Sequence, residues 1–191
     1  ELAPADALSE AIKAARSLRS QSIGVLEGRA AGRAVLCCRP GAALRRLLPL
    51  PEALVIGSTG VLPDSAVNLL LLMARPQGEQ LASLRKLEGA GRAVISQETI
   101  SGLSVPVFTY RLGKCGAPAA AFAFDAGVLH YSRDSAFAAA HLAFLLGARV
   151  IVLAGCLYSG GDPLAAELPV IDEHFRRLRA ACAARGTHLV S

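Results

Sequence analysis

The amino-acid sequence predicts a single α/β domain with a mostly parallel, Rossmann-like sheet and helices on both faces. Short apolar runs alternate along the chain with longer amphipathic stretches, an order that is typical of strands joined by crossover helices. The run at 149–154 is the strongest strand signal, because every residue after Arg149 is apolar, as in a strand buried on both faces. With 191 residues, 53% of them hydrophobic, the chain can form one large core.

Residues 1–30 are predicted to form an N-terminal helical segment, and residues 31–191 are predicted to form the α/β domain. Within the segment, residues 5–20 have the spacing of an amphipathic helix, with one side formed by Leu8, Ile12, Ala15 and Arg19. Further along, we predict strands at 34–38, 54–56 and 93–96, and a third apolar run at 67–73. A strand is also predicted over 105–111, where Pro106 indicates an edge or a strand start. Helices are predicted at 42–48 and 80–87, and loops at 57–60 and 113–118.

The C-terminal third has the clearest alternation of elements. A helix is predicted at 135–146, and the strand at 149–154 follows it. A glycine-rich loop at 155–163 then leads to a helix at 169–184 and to a last strand at 187–190. The side of the last helix that we expect to face the core carries Val170, Ile171, Phe175, Leu178 and Cys182.

Composition narrows the class of protein and its partners. The net charge is +5, without a dense run of basic and aromatic residues, so a nucleic-acid partner is not expected. The five cysteines contain no CxxC pair, and no ligand spacing predicts a bound metal. The apolar stretches are far shorter than the ~20 residues of a membrane-spanning helix, and we expect a cytoplasmic protein. The Ala-rich composition suits a homo-oligomer.

Three segments beside predicted strand or helix ends are candidate ligand sites. The first contains Ser132, Arg133 and Ser135, at the start of the helix at 135–146. Free N–H groups and the helix dipole favour a bound phosphate at such a position. Ordinary capping of the helix explains the same residue types, so both interpretations stay open.

The other two segments follow predicted strands, where α/β proteins bind their ligands. Gly155, Tyr158 and Gly160 follow the strand at 149–154, and small residues there let a ligand approach the backbone. Arg39 and Gly41 follow the strand at 34–38, although the run is neither GxGxxG nor a Walker A motif. A connection that binds nothing is the alternative interpretation for both.

Two histidines are candidates for a general base. His130 precedes the helix-start segment, and His174 lies on the last predicted helix, so either residue could accept a proton from a hydroxyl group. His141 lies inside an apolar helix and is predicted to be a packing residue. The spacing of the histidines singles out neither base, and no cofactor follows from the sequence.

Two segments of the chain resemble a known family. In residues 135–155 a small-residue helix is followed by Leu-Gly-Ala-Arg, an apolar strand and a glycine, and residues 32–44 contain a short strand followed by a glycine turn. These segments are similar to the family that joins archaeal 6-hydroxymethylpterin diphosphokinase-like proteins with bacterial sialyltransferase-like glycosyltransferases. The resemblance implies a nucleotide or nucleotide-sugar near the helix start and the loop after the strand. The family's acidic loop residue is Leu157 here, and its Pro-Ser turn is Ala42-Ala43.

Three functions remain open on these grounds. The resemblance implies first a nucleotide- or nucleotide-sugar-binding protein of glycosyltransferase type, with the helix-start residues on the phosphates and Tyr158 over the donor. The second is a pterin diphosphokinase-like enzyme, which would need Mg²⁺ held by carboxylates. The third is a non-catalytic binding or assembly module of the same fold. The carboxylates near the expected site are Asp125, Asp134 and Asp162.

Overall fold

The computed structural model describes residues 4–16, 20–39, 53–58, 67–89, 91–123, 127–155 and 164–191. Within these residues, eight strands form one sheet in which all neighbours are parallel. Two further strands pair in parallel as a separate small sheet. The strands of the main sheet are β1 (Gln21–Ser22), β2 (Ala34–Cys38), β3 (Leu54–Ser58), β4 (Leu69–Leu71), β5 (Ala93–Ser96), β6 (Val107–Thr109), β9 (Val150–Ala154) and β10 (His188–Val190), and those of the small sheet are β7 (Arg111–Cys115) and β8 (Val128–Tyr131).

Helices account for most of the remaining described residues. They are α1 (Pro4–Ala15), α2 (Gly78–Arg85), α3 (Ser135–Leu145) and α4 (Leu168–Ala184), together with short 3₁₀ turns at Ile23–Leu26, Ala119–Ala123 and Ala165–Glu167. In the described part of the chain, no helix combines the length and the apolar composition that a membrane crossing requires.

The strands of the main sheet lie in the order β1-β6-β5-β4-β3-β2-β9-β10. From β2 the chain adds β3, β4, β5 and β6 on one side, and it then places β9 and β10 on the other side of β2. The direction in which the sheet grows therefore reverses between β2 and β9. In open parallel sheets such a reversal leaves a crevice at the carboxyl ends of the two strands, because the connections leave them toward opposite faces.

Side chains of the sheet alternate between two hydrophobic clusters. On β2, Val35 and Cys37 join the cluster that includes residues of α1, α3 and α4, whereas Leu36 and Cys38 join the cluster that includes Leu84 of α2. This alternation is the period of two that a pleated strand imposes on its side chains. The structure confirms the predicted fold class of a parallel sheet with helices on both faces.

Helix α3 is almost entirely buried. Its residues from Ala136 to Leu145 are all buried, and its alanines allow the helix backbone to pack closely on β2, β3 and β9. The N-terminal segment covers the C-terminal end of α3, where the N–H groups of Gly28 and Ala30 donate to the carbonyl groups of Leu145 and Leu146. These bonds satisfy two of the carbonyl groups that a helix end leaves without a partner. Residues on both sides of the predicted boundary at residue 30 therefore pack together.

Most predicted elements are confirmed, with boundary shifts of a few residues. Helices α1, α2, α3 and α4 correspond, in this order, to the predicted helices at 5–20, 80–87, 135–146 and 169–184. Strands β2, β3, β5, β9 and β10 correspond to the predicted strands at 34–38, 54–56, 93–96, 149–154 and 187–190. The apolar run at 67–73 contains β4. The predicted helix at 42–48 lies outside the described residues.

Several local predictions were wrong. The predicted loop at 57–60 begins too early, because Gly57 and Ser58 continue β3 and pair with β4. The predicted loop at 113–118 is also wrong in part, since residues 113–115 belong to β7. Of the two alternatives for Pro106, the strand start is confirmed, because β6 begins at the next residue and lies between β1 and β5. Strand β9 is only partly buried along its length, so the expectation of burial on both faces was too strong.

The predicted inward face of α4 needs one correction. Val170 is 49% exposed, whereas the buried stripe consists of Ile171, His174, Leu178 and Cys182. These positions follow the three- and four-residue spacing of one helix face. Val170 lies four residues before His174 and shares this spacing, but it belongs to the first turn of α4, where its side chain does not pack on the core.

Candidate anion-binding crevice

The carboxyl ends of β2, β3 and β9 meet the first turn of α3. Arg39 directly follows β2, Ser58 is the last residue of β3, and Gly155 directly follows β9. The N–H group of Arg39 donates to the carbonyl group of Ala154 at 3.0 Å, so the two strand ends that flank the reversal remain joined. The edge of the sheet is therefore the place where a parallel α/β fold binds a ligand.

Polar side chains fix the start of α3 against this edge. The Asp134 carboxylate caps the helix by accepting a hydrogen bond of 2.8 Å from the N–H group of Ala136. The Ser135 hydroxyl donates to the Ser58 hydroxyl at 3.0 Å, and Ser58 in turn donates to the carbonyl group of Cys38 at 3.2 Å. This chain of bonds ties α3 to β3 and β2, and it holds two hydroxyl groups beside the positive end of the helix dipole.

Arg39 brings a largely buried positive charge to the same place. Its side chain is 19% exposed, and its Nε lies 4.0 Å from Oδ1 of Asp134, whose side chain is fully buried. A guanidinium group has N–H donors in a planar fork whose geometry matches a phosphate. The crevice thus combines a cation with a helix start whose first turn is fixed by two bonded hydroxyl groups.

Gly155 is required by the close approach of the two strand ends. Its φ is +78°, and a Cβ at this position would lie 3.0 Å from the carbonyl oxygen of Arg39. Both the backbone conformation and the contact favour glycine. The glycine that was predicted to admit a ligand therefore also lets β9 end directly against the residue that follows β2.

The remaining helix-start residues turn away from the crevice. The Ser132 hydroxyl lies 2.8 Å from Nδ1 of His174, and both residues are buried. The Arg133 guanidinium pairs with Glu167 at 3.0 Å, with 62% of the arginine side chain exposed. The structure therefore brings Arg39, Ser135 and Gly155 together, but it directs the side chains of Ser132 and Arg133 toward α4 and the turn before it.

His174 is enclosed by its neighbours. A Cβ on Gly116 would overlap its imidazole ring, and Arg177 binds the carbonyl group of Gly116 at 2.8 Å. The pKa of His174 is lowered by burial and by the charge of Arg177, with a smaller opposing effect of Glu173. Ser132 and Gly116 thus lie against the imidazole that was predicted as a general base.

His130 belongs to a second network, in which imidazole nitrogens bind backbone groups. Its Nδ1 accepts a hydrogen bond of 2.9 Å from the N–H group of Lys114, and its own N–H group donates to Nδ1 of His141 at 3.0 Å. Since Nδ1 of His141 is an acceptor, the ring proton lies on Nε2, which faces the carbonyl oxygen of Phe122 at 3.4 Å. Burial, reinforced by the charge of His130, lowers the pKa of His141 to about 3. This network connects β7, β8, α3 and the 3₁₀ turn at Ala119–Ala123.

Some candidate residues lie outside the described part of the chain. These are Gly41, Tyr158 and Gly160, and also Asp125 and Asp162 of the carboxylates considered for Mg²⁺. The remaining carboxylate, that of Asp134, caps α3. Among the described residues, no group of three His, Cys, Asp or Glu side chains is arranged to hold a metal ion.

Ser58 is the crevice residue that sequence reasoning missed. It was assigned to a loop, yet it ends a buried strand and is fully buried itself. The available signal was a hydroxyl residue two positions after the apolar run at 54–56. Such a residue at the carboxyl end of a parallel strand faces the edge where ligands bind.

Comparisons with known proteins identify no relative of this chain: no protein-family model matches it, and neither the curated proteins nor the solved structures contain a significant match.

Proposed function

We propose that the crevice binds the phosphate groups of a nucleotide or nucleotide-sugar, and that the chain is a donor-binding domain of glycosyltransferase type. The observation that carries this proposal is the reversal of strand order between β2 and β9, with the start of α3 and the Arg39 side chain at that point. Parallel α/β proteins bind nucleotides at such a reversal.

The chemistry of the crevice suits a phosphate. The positive end of the α3 dipole stabilises an anion by up to about 2 kcal/mol in a partly buried geometry. Arg39 would supply charge-assisted hydrogen bonds at the helix start, and the bond between the Ser135 and Ser58 hydroxyl groups fixes the first turn of α3 beside it. In a glycosyl transfer, the same groups would stabilise the negative charge of the departing nucleotide.

A second candidate is a nucleotide-binding module that does not catalyse transfer. It is favoured by the environment of the two predicted bases, because Nδ1 of His174 is bonded to Ser132 and Nδ1 of His130 is bonded to Lys114. Under this candidate the chain binds a nucleotide without turning it over. Incubation with the bound nucleotide-sugar and a panel of sugar acceptors separates the two, since free nucleotide is released only by transfer or hydrolysis.

The binding claim is tested by a thermal-shift screen against nucleotides and nucleotide-sugars, with and without Mg²⁺. A ligand at 100 times its Kd adds about 2.7 kcal/mol of stability, which raises the melting temperature measurably. Arg39→Ala should weaken the binding of any hit by at least about tenfold, because a hydrogen bond to a charged group is worth about 1.5–3 kcal/mol. Arg179→Ala, an exposed arginine of α4, is the matched control. A blank screen, or equal affinity of the two variants, would overturn the proposal.

A further inference from the structure

A second cleft lies at the carboxyl ends of β4 and β5. It has a volume of about 250 Å³ and is lined by residues 74–76, Leu81 and residues 96–101. We propose that this β4–β5 cleft binds one ring of a neutral, hydroxyl-rich ligand, such as a monosaccharide. That the ligand would be the acceptor of a glycosyl group rests on the function proposed above, whereas its binding does not.

The walls of the cleft are held in place by hydrogen bonds. The Gln97 amide donates from Nε2 to the carbonyl group of Met73 at 2.8 Å, which joins the segment after β5 to the segment after β4. The Ser96 hydroxyl accepts a bond of 3.3 Å from the N–H group of Glu98. Behind the cleft, the Tyr110 hydroxyl donates to the carbonyl group of Leu72 at 2.9 Å. The cleft is therefore formed before a ligand arrives, which reduces the entropic cost of binding.

The lining supplies both donors and acceptors for hydroxyl groups. Nε of Arg75 lies 3.7 Å from Oε2 of Glu98, and both side chains are mostly exposed. The guanidinium group has five N–H donors and the carboxylate has two acceptor oxygens, which is more than the contact between them uses. A sugar hydroxyl group both donates and accepts hydrogen bonds, so it can bind to both side chains. Apolar and hydroxyl-bearing residues complete the lining: Pro76, Leu81, Ile100, Thr99 and Ser101.

Charge and size restrict the ligand further. The Glu98 carboxylate lines the cleft and is mostly exposed, unlike the fully buried carboxylate of Asp134 beside Arg39. It would repel a phosphate, so the cleft favours a neutral ligand. Ligand pockets for drug-sized molecules occupy about 300–1,000 Å³, and the volume of about 250 Å³ restricts this cleft to a smaller molecule. A single sugar ring has both properties, and its C–H face can pack on the apolar part of the lining.

The position of the cleft relates it to the crevice. Both lie at the carboxyl edge of one sheet, and the strand order β5-β4-β3-β2-β9 separates the β4–β5 gap from the β2–β9 gap by three strand spacings. Strands are about 4.8 Å apart, so the two sites are roughly 14 Å apart along the edge. A donor in the crevice and an acceptor in the cleft would therefore share one face of the protein.

The test is saturation-transfer difference NMR on the full chain with glucose, galactose, mannose and N-acetylglucosamine as separate probes. At least one sugar should bind, Glu98→Ala should weaken that binding at least about fivefold, and Glu88→Ala, an exposed glutamate outside the cleft, should leave it unchanged. An absence of signal from all four sugars, or equal binding by the two variants, would overturn the inference.

Nucleotide titrations of the same samples separate this inference from the proposed function. Sugar binding that depends on Glu98, without nucleotide binding, supports the cleft and removes the proposed donor site. Nucleotide binding without any sugar signal supports the proposed donor site and overturns the inference about the cleft. Melting temperatures of the variants are the control for the fold, and the exposed substitutions should leave them unchanged.

Discussion

Stability of the protein should decrease steeply in mild acid because of His141. Burial lowers its pKa from the ordinary value of 6.5 to about 3, and the residue is only 1% exposed. The folded protein therefore keeps His141 neutral, whereas the unfolded chain binds a proton below pH 6.5. The stability that this group contributes is fully present above pH 6.5 and is lost as the pH falls from 6.5 toward 3.

The magnitude follows from the shift in pKa. One pKa unit corresponds to 1.36 kcal/mol, so lowering the pH from 7 to 5 should cost about 2 kcal/mol of unfolding free energy through His141 alone. The full loss by pH 3 approaches about 5 kcal/mol, which is comparable to the total stability of many domains.

Urea denaturation at pH 7, 6 and 5 measures this effect in the unmodified protein and in His141→Gln. Glutamine offers an acceptor for the N–H group of His130 but does not titrate, so the variant should lose about 2 kcal/mol less over this range. His188→Gln, on an exposed residue of β10, should retain the full dependence on pH. Parallel curves for His141→Gln and the unmodified protein would refute the reasoning that a buried neutral imidazole supports the fold.

Four further substitutions test the crevice and the histidine network. Gly113→Ala should cost about 1–3 kcal/mol in urea denaturation, because a Cβ would overlap the His130 ring and break its bond in the small sheet; an unchanged midpoint would argue against that bond. Gly155→Ala and Gly32→Ala should each lose about 1–2 kcal/mol, since both have a φ of +78°. In calorimetric titration only Gly155→Ala should also weaken nucleotide binding, because a Cβ at residue 155 would contact Arg39, whereas nothing lies within 4 Å of a Cβ at residue 32. Equal nucleotide affinities of the two variants would count against the crevice. Arg133→Ala should change nucleotide affinity less than twofold, since this side chain pairs with Glu167; a larger loss would restore its predicted role on the phosphate.

The fold class was predictable because local apolar runs carry it. Strands such as Ala34–Cys38 and Ala93–Ser96 are short, continuous and apolar, and the sequence between them has helical spacing. Strand β7 was missed because Arg111-Leu112-Gly113-Lys114-Cys115 lacks both signals: it is mostly exposed and contains a glycine. That glycine is explained by the imidazole of His130, which replaces a backbone acceptor beside it. A contact of this kind exists only in the folded protein.

The site was predictable in part for the same reason. Arg39, Ser135 and Gly155 each stand next to a recognisable strand or helix end, and parallel packing brings such ends to one edge. The hydrogen bond between Ser132 and His174 joins residues that are 42 positions apart in the sequence, so no local pattern predicts it. Whether a helix-start side chain faces the crevice or α4 is set by tertiary packing, so Ser132 and Arg133 could not be separated from Ser135 in advance.

The most direct test of the central claim is amide chemical-shift mapping with the best nucleotide from the screen. In a ¹⁵N-labelled sample, the account predicts that the largest shifts occur at the N–H groups of Arg39, Ser135, Ala136 and Gly155, around the strand-order reversal. Shifts confined to other surfaces, such as residues 96–101 of the β4–β5 cleft, would contradict the assignment of the crevice as the phosphate site.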